Sequence, residues 1–309
     1  MPPPSAVSYG GDRCFQRLTC VGTAVLLLLT LGCSDDHANG RALPPPTDED
    51  EGLIVFDDDT KDVWRVAADG TDRRRLTSNE AQEFDPSWSP DGREIAYRSE
   101  VVGNSEIYVM EADGTKKRNV TRNAGSDYSP SWSPRGNQIA FTSDRGGGRN
   151  DIYVMNTDGS GVRRVTANAA TDEYPTWAPE GKRIAFVSDR DGRWEIYVID
   201  VGRSNEHRLT QTGGKLPAWS PDGRWIAFQG PAPGSSESEH YDYIWLVTPD
   251  GSRAHAIARG LTPAWAPSGD AVLAATVGGL AVLRLDGTVQ RYIVAGPALF
   301  ANWVDPHRG

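Results

Sequence analysis

A five-residue pattern, Trp-Ser/Ala-Pro-x-Gly, occurs five times in this chain and limits the possible folds more than any other feature. The five copies begin at Trp88, Trp132, Trp177, Trp219 and Trp265. A sixth, degenerate copy surrounds Trp303, and successive tryptophans are separated by 44, 45, 42, 46 and 38 residues. An internal repeat of about 40 to 50 residues made of short strands is typical of β-propeller blades.

Each repeat contains four short segments rich in β-branched and aromatic residues, which we name strands A to D in chain order. In the second copy, strand A holds Trp132, and strands B, C and D are residues 139–142, 152–155 and 163–166. Pro-x-Gly separates strands A and B, and Asp-Gly separates strands C and D, as expected for tight turns. We predict an all-β fold, a six-bladed β-propeller of four-stranded blades.

The two ends of the repeat array are complementary. The array opens with strand B at Ile54, so residues 53–77 lack an innermost strand, which residues 299–304 can supply. The N-terminal strands B to D would then pair with a C-terminal strand A, and this closure removes exposed sheet edges. We predict one closed propeller over residues 53–309, present as a monomer.

The N-terminal region has a different composition. Arg13 and Arg17 precede an uncharged stretch over residues 18–31. Because these 14 residues are too few to cross a membrane as a helix, we interpret residues 1–32 as a signal peptide.

The stretch ends in a possible modification site. Residues 29–33 resemble a bacterial lipobox, which makes Cys33 the expected lipidation site, with cleavage without lipid as the alternative. Residues 33–52 form an acidic, Pro-rich tether in this interpretation. The predicted location is the bacterial cell envelope, with the lipid as the only membrane contact, in the outer membrane and facing the periplasm.

Charge and composition exclude several function classes. The formal net charge of −10 disfavours nucleic acid as a partner, because binding a phosphate backbone requires a basic surface. All three cysteines lie in the first 33 residues, so the folded part has no thiol chemistry. The five histidines show no metal-binding spacing, and no Gly-x-Ser-x-Gly motif occurs. We predict no catalytic residues and no cofactor.

Candidate binding residues lie just before the repeated tryptophans. The D-to-A and B-to-C connections are predicted to emerge on one face of the propeller, where loops carry function. Ahead of the first three tryptophans the sequence has acids and tyrosines, namely Glu83, Asp85, Asp127, Tyr128, Asp172, Glu173 and Tyr174. The equivalent residues 214–216 and 260–262 include no acid. One half of this mouth is therefore predicted to be acidic and to bind a basic or hydroxyl-rich partner. A bound Ca²⁺ ion and carboxylates that are merely solvated are the alternatives.

The repeat also resembles a known family. The string from Trp177 to Asp200 contains Trp-Ala-Pro-Glu-Gly, Arg-Ile-Ala-Phe-Val-Ser-Asp-Arg-Asp-Gly and Glu-Ile-Tyr-Val-Ile-Asp, and it is similar to the propeller repeat of the TolB family. The resemblance covers about residues 53–304. It implies a periplasmic propeller that binds other proteins, among them the peptidoglycan-associated lipoprotein. No space for the additional N-terminal domain of TolB is present between Cys33 and Leu53, so we expect a TolB-like lipoprotein.

From this resemblance we predict a non-enzymatic, protein-binding scaffold of the cell envelope. Its expected partner is an envelope protein or a peptidoglycan-associated component. Similar repeats occur in oligogalacturonate lyase, so a carbohydrate-active enzyme is one alternative. A module that binds cell-wall glycan is the other.

Overall fold

The computed structural model describes residues 52–101, 103–203, 205–235 and 241–306. These residues form 24 strands in six four-stranded antiparallel sheets, which are the blades of a propeller. No helix long and apolar enough to cross a membrane is present within these ranges. The interpreted signal peptide, residues 1–32, the lipidation site Cys33 and the tether up to residue 51 lie outside the described residues, so those predictions are not tested.

Four blades have a very short outermost strand. We number the blades along the chain and give their strands from the innermost to the outermost. Blade 1 consists of β24 (Leu299–Val304), β1 (Leu53–Asp57), β2 (Val63–Ala67) and β3 (Arg74–Arg75). Blade 2 consists of β4 (Gln82–Trp88), β5 (Glu94–Val101), β6 (Asn104–Glu111) and β7 (Arg118–Asn119). Blade 3 consists of β8 (Asp127–Trp132), β9 (Gln138–Ser143), β10 (Asp151–Asn156) and β11 (Arg163–Arg164). Blade 4 consists of β12 (Asp172–Trp177), β13 (Arg183–Ser188), β14 (Glu195–Asp200) and β15 (Glu206–Arg208).

The last two blades have long outermost strands. Blade 5 consists of β16 (Lys215–Trp219), β17 (Ile226–Gly230), β18 (Tyr243–Val247) and β19 (Ala254–Arg259). Blade 6 consists of β20 (Leu261–Trp265), β21 (Ala271–Thr276), β22 (Gly279–Arg284) and β23 (Val289–Ala295). The predicted number of blades and of strands per blade is confirmed.

The ring is closed by the C-terminal strand. β24 pairs antiparallel with β1, with Leu53 opposite Val304 and Ile54 opposite Trp303. The innermost strands contact one another in sequence around the ring, and β24 contacts both β20 and β4. Asn302 strengthens this junction, because its Oδ1 accepts a hydrogen bond from the backbone amide of Trp88 at 2.9 Å. The predicted closure of the N-terminal strands by a C-terminal strand A is confirmed.

The repeated tryptophans belong to the core between blades. All six are buried, with at most 8% of their surface exposed. Trp177, for example, packs with Ile152 and Val154 of blade 3 as well as with Ile184 of its own blade. A buried indole contributes a large apolar surface, so each tryptophan joins two adjacent sheets.

The Pro-x-Gly part of the motif also joins blades. The glycine of each A-to-B turn has a positive φ, for instance +67° at Gly92 and +70° at Gly223. A Cβ at Gly223 would lie 3.2 Å from Pro179 of the preceding blade, and one at Gly92 would lie 2.8 Å from Pro306. Two separate reasons therefore favour glycine at this position: its positive φ and the close approach of the neighbouring proline.

Candidate functional site: the central channel

Each innermost strand contains a bulge shortly before its tryptophan. In β12, for example, the pairing register with β13 shifts between Glu173 and Thr176. The residue three positions before the tryptophan has a positive φ in all six copies. These residues, which we call the channel residues, are Asp85 (54°), Ser129 (52°), Tyr174 (56°), Leu216 (51°), Thr262 (49°) and Phe300 (25°). Left-handed backbone costs a residue other than glycine about 1–3 kcal/mol, and such strain concentrates at functional sites.

The channel residues surround a central cavity of about 280 Å³. All six innermost strands contribute to its lining, and prolines follow five of the channel residues. Around the ring, in blade order, the channel residues are Phe300, Asp85, Ser129, Tyr174, Leu216 and Thr262. Among the described residues that line the cavity, Asp85 has the only charged side chain.

Two aromatic rings stack within this channel. Tyr174 belongs to blade 4 and Phe300 to blade 1, so they come from opposite sides of a six-membered ring. Their ring centroids are 6.5 Å apart and their planes differ by 7°. The stack separates a polar side, formed by Asp85 and Ser129, from a side formed by Leu216 and Thr262.

The polar side of the channel carries a small charge network. Oδ2 of Asp85 accepts a long hydrogen bond from Ser129 Oγ at 3.4 Å and lies 3.9 Å from Nε of Arg98. Arg98 is buried, and its guanidinium lies 4.2 Å from the centre of the Phe84 ring. This cation–π contact holds the arginine beside Asp85 without a close ion pair.

A second carboxylate lies beside Asp85. Asp57, at the end of β1, is fully buried, and the backbone amide of Asp85 approaches its carboxyl without reaching good hydrogen-bond geometry. Burial raises the pKa of Asp57 well above its usual range, and the negative charge of Asp85 raises it further. The backbone amide of Asp85 and the charge of Arg98 oppose this rise in pKa only in part.

Side chains of alternate blades fix the left-handed backbone of the next blade. The amide of Tyr174 donates to Thr142 Oγ1 at 3.1 Å, and the amide of Thr262 donates to Gln229 Oε1 at 3.3 Å. Thr142 and Gln229 occupy the same position of strand B as Asp57. Blades 1, 3 and 5 therefore have an acceptor there, whereas blades 2, 4 and 6 have Arg98, Val187 and Ala275.

The structure places the predicted binding residues in three environments. Asp85 and Tyr174 line the channel. Glu83, Asp127 and Asp172 are fully buried at the beginning of their strands. Both oxygens of Asp127 lie 2.8 Å from Arg145 Nη2 of the adjoining B-to-C loop, and Asp172 lies 3.2 Å from Arg190 in the same way. The Ser-Asp-Arg loops thus hold these two carboxylates in a structural role.

Tyr128 and Glu173 form a bridge between blades 3 and 4. Tyr128 Oη donates to Glu173 Oε1 at 3.2 Å, and Asn150 Nδ2 donates to the same oxygen at 2.6 Å. Burial raises the pKa of Glu173 above its ordinary value, and these donors partly offset the rise.

No group of three or more His, Cys, Asp or Glu side chains suited to a metal ion was found in the described ranges. Binding by any of the seven predicted residues, and the alternative of Ca²⁺, stays a prediction.

Several channel-lining positions were missed by the sequence reasoning. Ser129, Leu216, Thr262 and Phe300 line the cavity at positions equivalent to Asp85 and Tyr174. The only available signal was this equivalence, because the four residues share no chemical type. Asp57 had no signal of its own, since it lies in a strand B segment that resembles the others.

Comparisons with known proteins agree with this architecture. A family model described as the TolB beta propeller domain matches residues 53–174 and 119–299. A protein TolB homolog from Chlorobium luteolum is 36% identical over 57 residues, which are 18% of this chain and 13% of that protein.

Solved structures share the fold. The crystal structure of TolB from Acinetobacter baumannii superposes with a TM-score of 0.69 at 24% identity and covers 82% of this chain and 66% of that chain. An oligogalacturonate lyase in complex with manganese superposes with a TM-score of 0.54 at 15% identity, covering 74% of this chain and 72% of that chain. At such identities the likeness concerns the fold alone. This chain thus spans less than two thirds of the length of the Chlorobium luteolum homolog and of the Acinetobacter baumannii TolB.

The repeat, the closed ring of six blades and the match of the family model over most of the chain lead to one conclusion. The chain belongs to the TolB beta propeller domain family.

Proposed function

We propose that this protein is a non-enzymatic scaffold of the cell envelope that binds a partner protein at the mouth of its central channel. The mouth is the end of the channel at which the D-to-A and B-to-C connections emerge. In this proposal the chain is exported by residues 1–32 and held in the outer membrane by a lipid on Cys33. The resemblance to TolB proteins supports an envelope location.

One observation supports binding at the channel more than any other. The residues that build the frame repeat from blade to blade, as the buried tryptophans and the Pro-x-Gly turns do. The channel residues instead differ in every blade, although their backbone conformation is the same. A rigid frame that presents six different side chains at equivalent points can recognise a specific partner surface.

The enzymatic alternative has weaker support. The likeness to the oligogalacturonate lyase is a likeness of fold at 15% identity, and many unrelated functions share one fold. We therefore do not propose a lyase activity.

A blocked channel provides the test of partner binding. Leu216 lines the channel, and its replacement by arginine, Leu216→Arg, places a long charged side chain there. The matched control is Val162→Arg, at an exposed residue of a C-to-D turn on the opposite face. We expect the wild-type protein and the control to capture the same partner from envelope extract by cross-linking, and Leu216→Arg to lose it. Equal capture by both variants would contradict binding at the channel.

The anchor is tested separately. Metabolic labelling with a palmitate analogue should mark the wild-type protein and leave Cys33→Ala unlabelled. Cys33→Ala should also leave the membrane fraction and appear in the soluble periplasmic fraction. Labelling that survives the substitution would show that the lipid is attached elsewhere.

A further inference from the structure

The polar side of the channel has an unused acceptor. Asp85 is only about one-tenth exposed, and its Oδ2 makes the long contacts to Ser129 and Arg98 described above. Its other oxygen, Oδ1, has no hydrogen-bond partner in the part of the chain that the structure describes. Asp85 has the only charged side chain among the described residues that line the cavity, so a ligand that supplies a donor can reach its second oxygen from the channel.

Asp57 lies beside Asp85 and is fully buried. Burial raises the pKa of its carboxyl well above the usual range, so its neutral form is favoured and needs no cation of its own. Arg98 is the nearby cation, yet its Nε makes no hydrogen bond within the described ranges and remains 3.9 Å from Asp85. Asp85 thus has one distant guanidinium as its cationic neighbour, which leaves room for one more positive group.

The neighbouring wall suits an organic cation. Tyr174 and Phe300 line the cavity together with Asp85. The pKa of the Tyr174 phenol is raised mainly by burial and further by the negative charge of Asp85, which shows that the two side chains are close. Aromatic faces attract ammonium groups. Ca²⁺ instead requires about six to eight oxygen ligands, commonly with several carboxylates among them, and Asp85 supplies the only carboxylate among the described residues that line the cavity.

We propose that the polar side of the channel binds a primary ammonium group carried on a slender alkyl chain. Oδ1 of Asp85 accepts a charge-assisted hydrogen bond from the ammonium, and the rings of Tyr174 and Phe300 contact its alkyl chain and its positive charge. The cavity of about 280 Å³ holds a group of five heavy atoms without rearrangement. This site does not depend on the scaffold role, because a small amine can occupy it in the absence of any partner protein.

The experiment uses n-butylammonium chloride as the probe. Titration of the folded protein, followed by calorimetry or by NMR, should give saturable binding at one site. Asp85→Asn should weaken this binding at least tenfold, which corresponds to about 1.4 kcal/mol. Asparagine tolerates the left-handed backbone at residue 85, so the variant should keep its fold. Asp286→Asn, at an exposed C-to-D turn of blade 6, removes the same charge and should bind the probe as the wild type does.

Two further measurements keep the test decisive. Phe300→Leu removes one ring face and should weaken probe binding about threefold. This variant tests the site even if Asp85→Asn does not fold. Tetramethylammonium has no N–H donor and should bind more weakly than the probe. Absence of saturable butylammonium binding, or equal affinity of Asp85→Asn and the wild type, would overturn the proposal, as would binding of Ca²⁺ alone. Probe binding without partner capture would leave this site intact and contradict only the scaffold role.

Discussion

Blades 1–4 and blades 5–6 hold their outermost strands in different ways. In blades 1–4 the outermost strand has only two or three residues, and a threonine hydroxyl connects its end to the preceding strand. In blades 5 and 6 the outermost strand has six or seven residues, and a long backbone ladder makes the connection. We call the two groups the latch blades and the ladder blades.

Each latch is a three-part hydrogen-bonded unit. In blade 3, Thr166 Oγ1 accepts from the amide of Ile152 at 3.0 Å and donates to Asp151 Oδ1 at 3.4 Å. The other latch blades repeat this arrangement with Thr77 and Asp62, with Thr121 and Glu106, and with Thr210 and Glu195. A hydroxyl that both accepts and donates satisfies two buried groups at once.

The ladder blades have lost each part of this unit. The positions equivalent to the latch threonine are Ala258 and Val294, which lie directly opposite Ile244 and Leu280 in the strand pairing. The positions equivalent to the latch acid are Tyr243 and Gly279. The comparison shows that one structural role can be carried by side chains or by main chain. Where side chains carry it, the blade depends on a buried polar network that fails when one member is removed.

The largest expected effect is common to both groups, because the tryptophans pack between blades everywhere. Trp177→Ala in a latch blade and Trp265→Ala in a ladder blade should each lower the free energy of unfolding by about 3–5 kcal/mol. Urea denaturation measures both, with Trp194→Ala, at a partly exposed position outside the motif, as the control. A loss below 1 kcal/mol at Trp265 alone would show that the two groups also differ in their cores.

The next effect separates the two groups. Asp172 is fully buried and accepts hydrogen bonds from Arg190 and Asn168, so Asp172→Ala removes these bonds, leaves Glu206 as the remaining ion partner of Arg190, and should cost about 2–3 kcal/mol. Asp242→Ala removes an exposed pair with Arg259 in a ladder blade and should cost less than about 1 kcal/mol. Thermal and urea unfolding provide the values, and equal losses would contradict a structural role for the buried pair. Substituting Asp172 therefore alters folding before it alters binding, which is why the channel residues are the better targets for binding tests.

The latch itself is tested by an isosteric change. Thr166→Val keeps the shape of the side chain but removes the hydroxyl that satisfies Ile152 and Asp151, and should cost about 2 kcal/mol. Thr166→Ser keeps the hydroxyl and should cost clearly less. Ala258→Val, at the equivalent position of a ladder blade, breaks no hydrogen bond and should change the free energy of unfolding by less than about 0.5 kcal/mol. If Thr166→Val is no worse than Thr166→Ser, the hydroxyl has no role in stability.

The sequence was sufficient to predict the fold because its frame residues repeat. Trp88 and its equivalents, the Pro-x-Gly turns and strand B at Ile54 determined the number of blades and the closure. These features depend on local turn chemistry and on burial, both of which have a sequence pattern.

The channel could be predicted only in part. Asp85 and Tyr174 were identified by chemical type, but Asp127 and Asp172, five positions before a tryptophan, are buried and paired with arginine. A residue before proline is normally extended, so the sequence did not indicate the left-handed backbone of Leu216 or Thr262. That conformation results from the bulge and from contacts between blades, which no single repeat specifies.

The smallest effect concerns pH and again separates the two groups. In the latch blades, burial raises the pKa of the carboxyls of Asp57, Glu83, Asp151 and Glu173 above their ordinary values. Among the described carboxyls of the ladder blades no pKa is raised by burial, and the hydroxyl of Thr248 with the amide of Ser252 lowers the pKa of Asp250 to about 2. Exposed turn aspartates of the latch blades, such as Asp113 and Asp158, also have a lowered pKa.

The two signs act in different pH ranges. A carboxyl with a raised pKa binds its proton more tightly in the folded state, so its contribution to stability is complete below the unfolded pKa of about 4 and is lost as pH rises through the folded pKa. Asp250 has the opposite sign, and its contribution is lost only as pH falls from about 4 towards 2. As pH falls from 7 towards 4, the carboxyls with a raised pKa take up protons earlier in the folded than in the unfolded state, so the free energy of unfolding should be larger at pH 5 than at pH 7.

Matched asparagine substitutions assign this pH dependence to the latch blades. Asp57→Asn removes the carboxyl that is fully buried beside Asp85 and should flatten the dependence between pH 5 and pH 7. Asp250→Asn should leave that range unchanged and reduce the loss of stability below pH 4. Urea denaturation at a series of pH values measures both variants against the wild type. A wild-type stability that is constant from pH 7 to pH 5, or an equal slope in Asp57→Asn, would show that the buried carboxyls of the latch blades keep their charge, and that their burial is compensated by neighbours such as Arg98 and not by a bound proton.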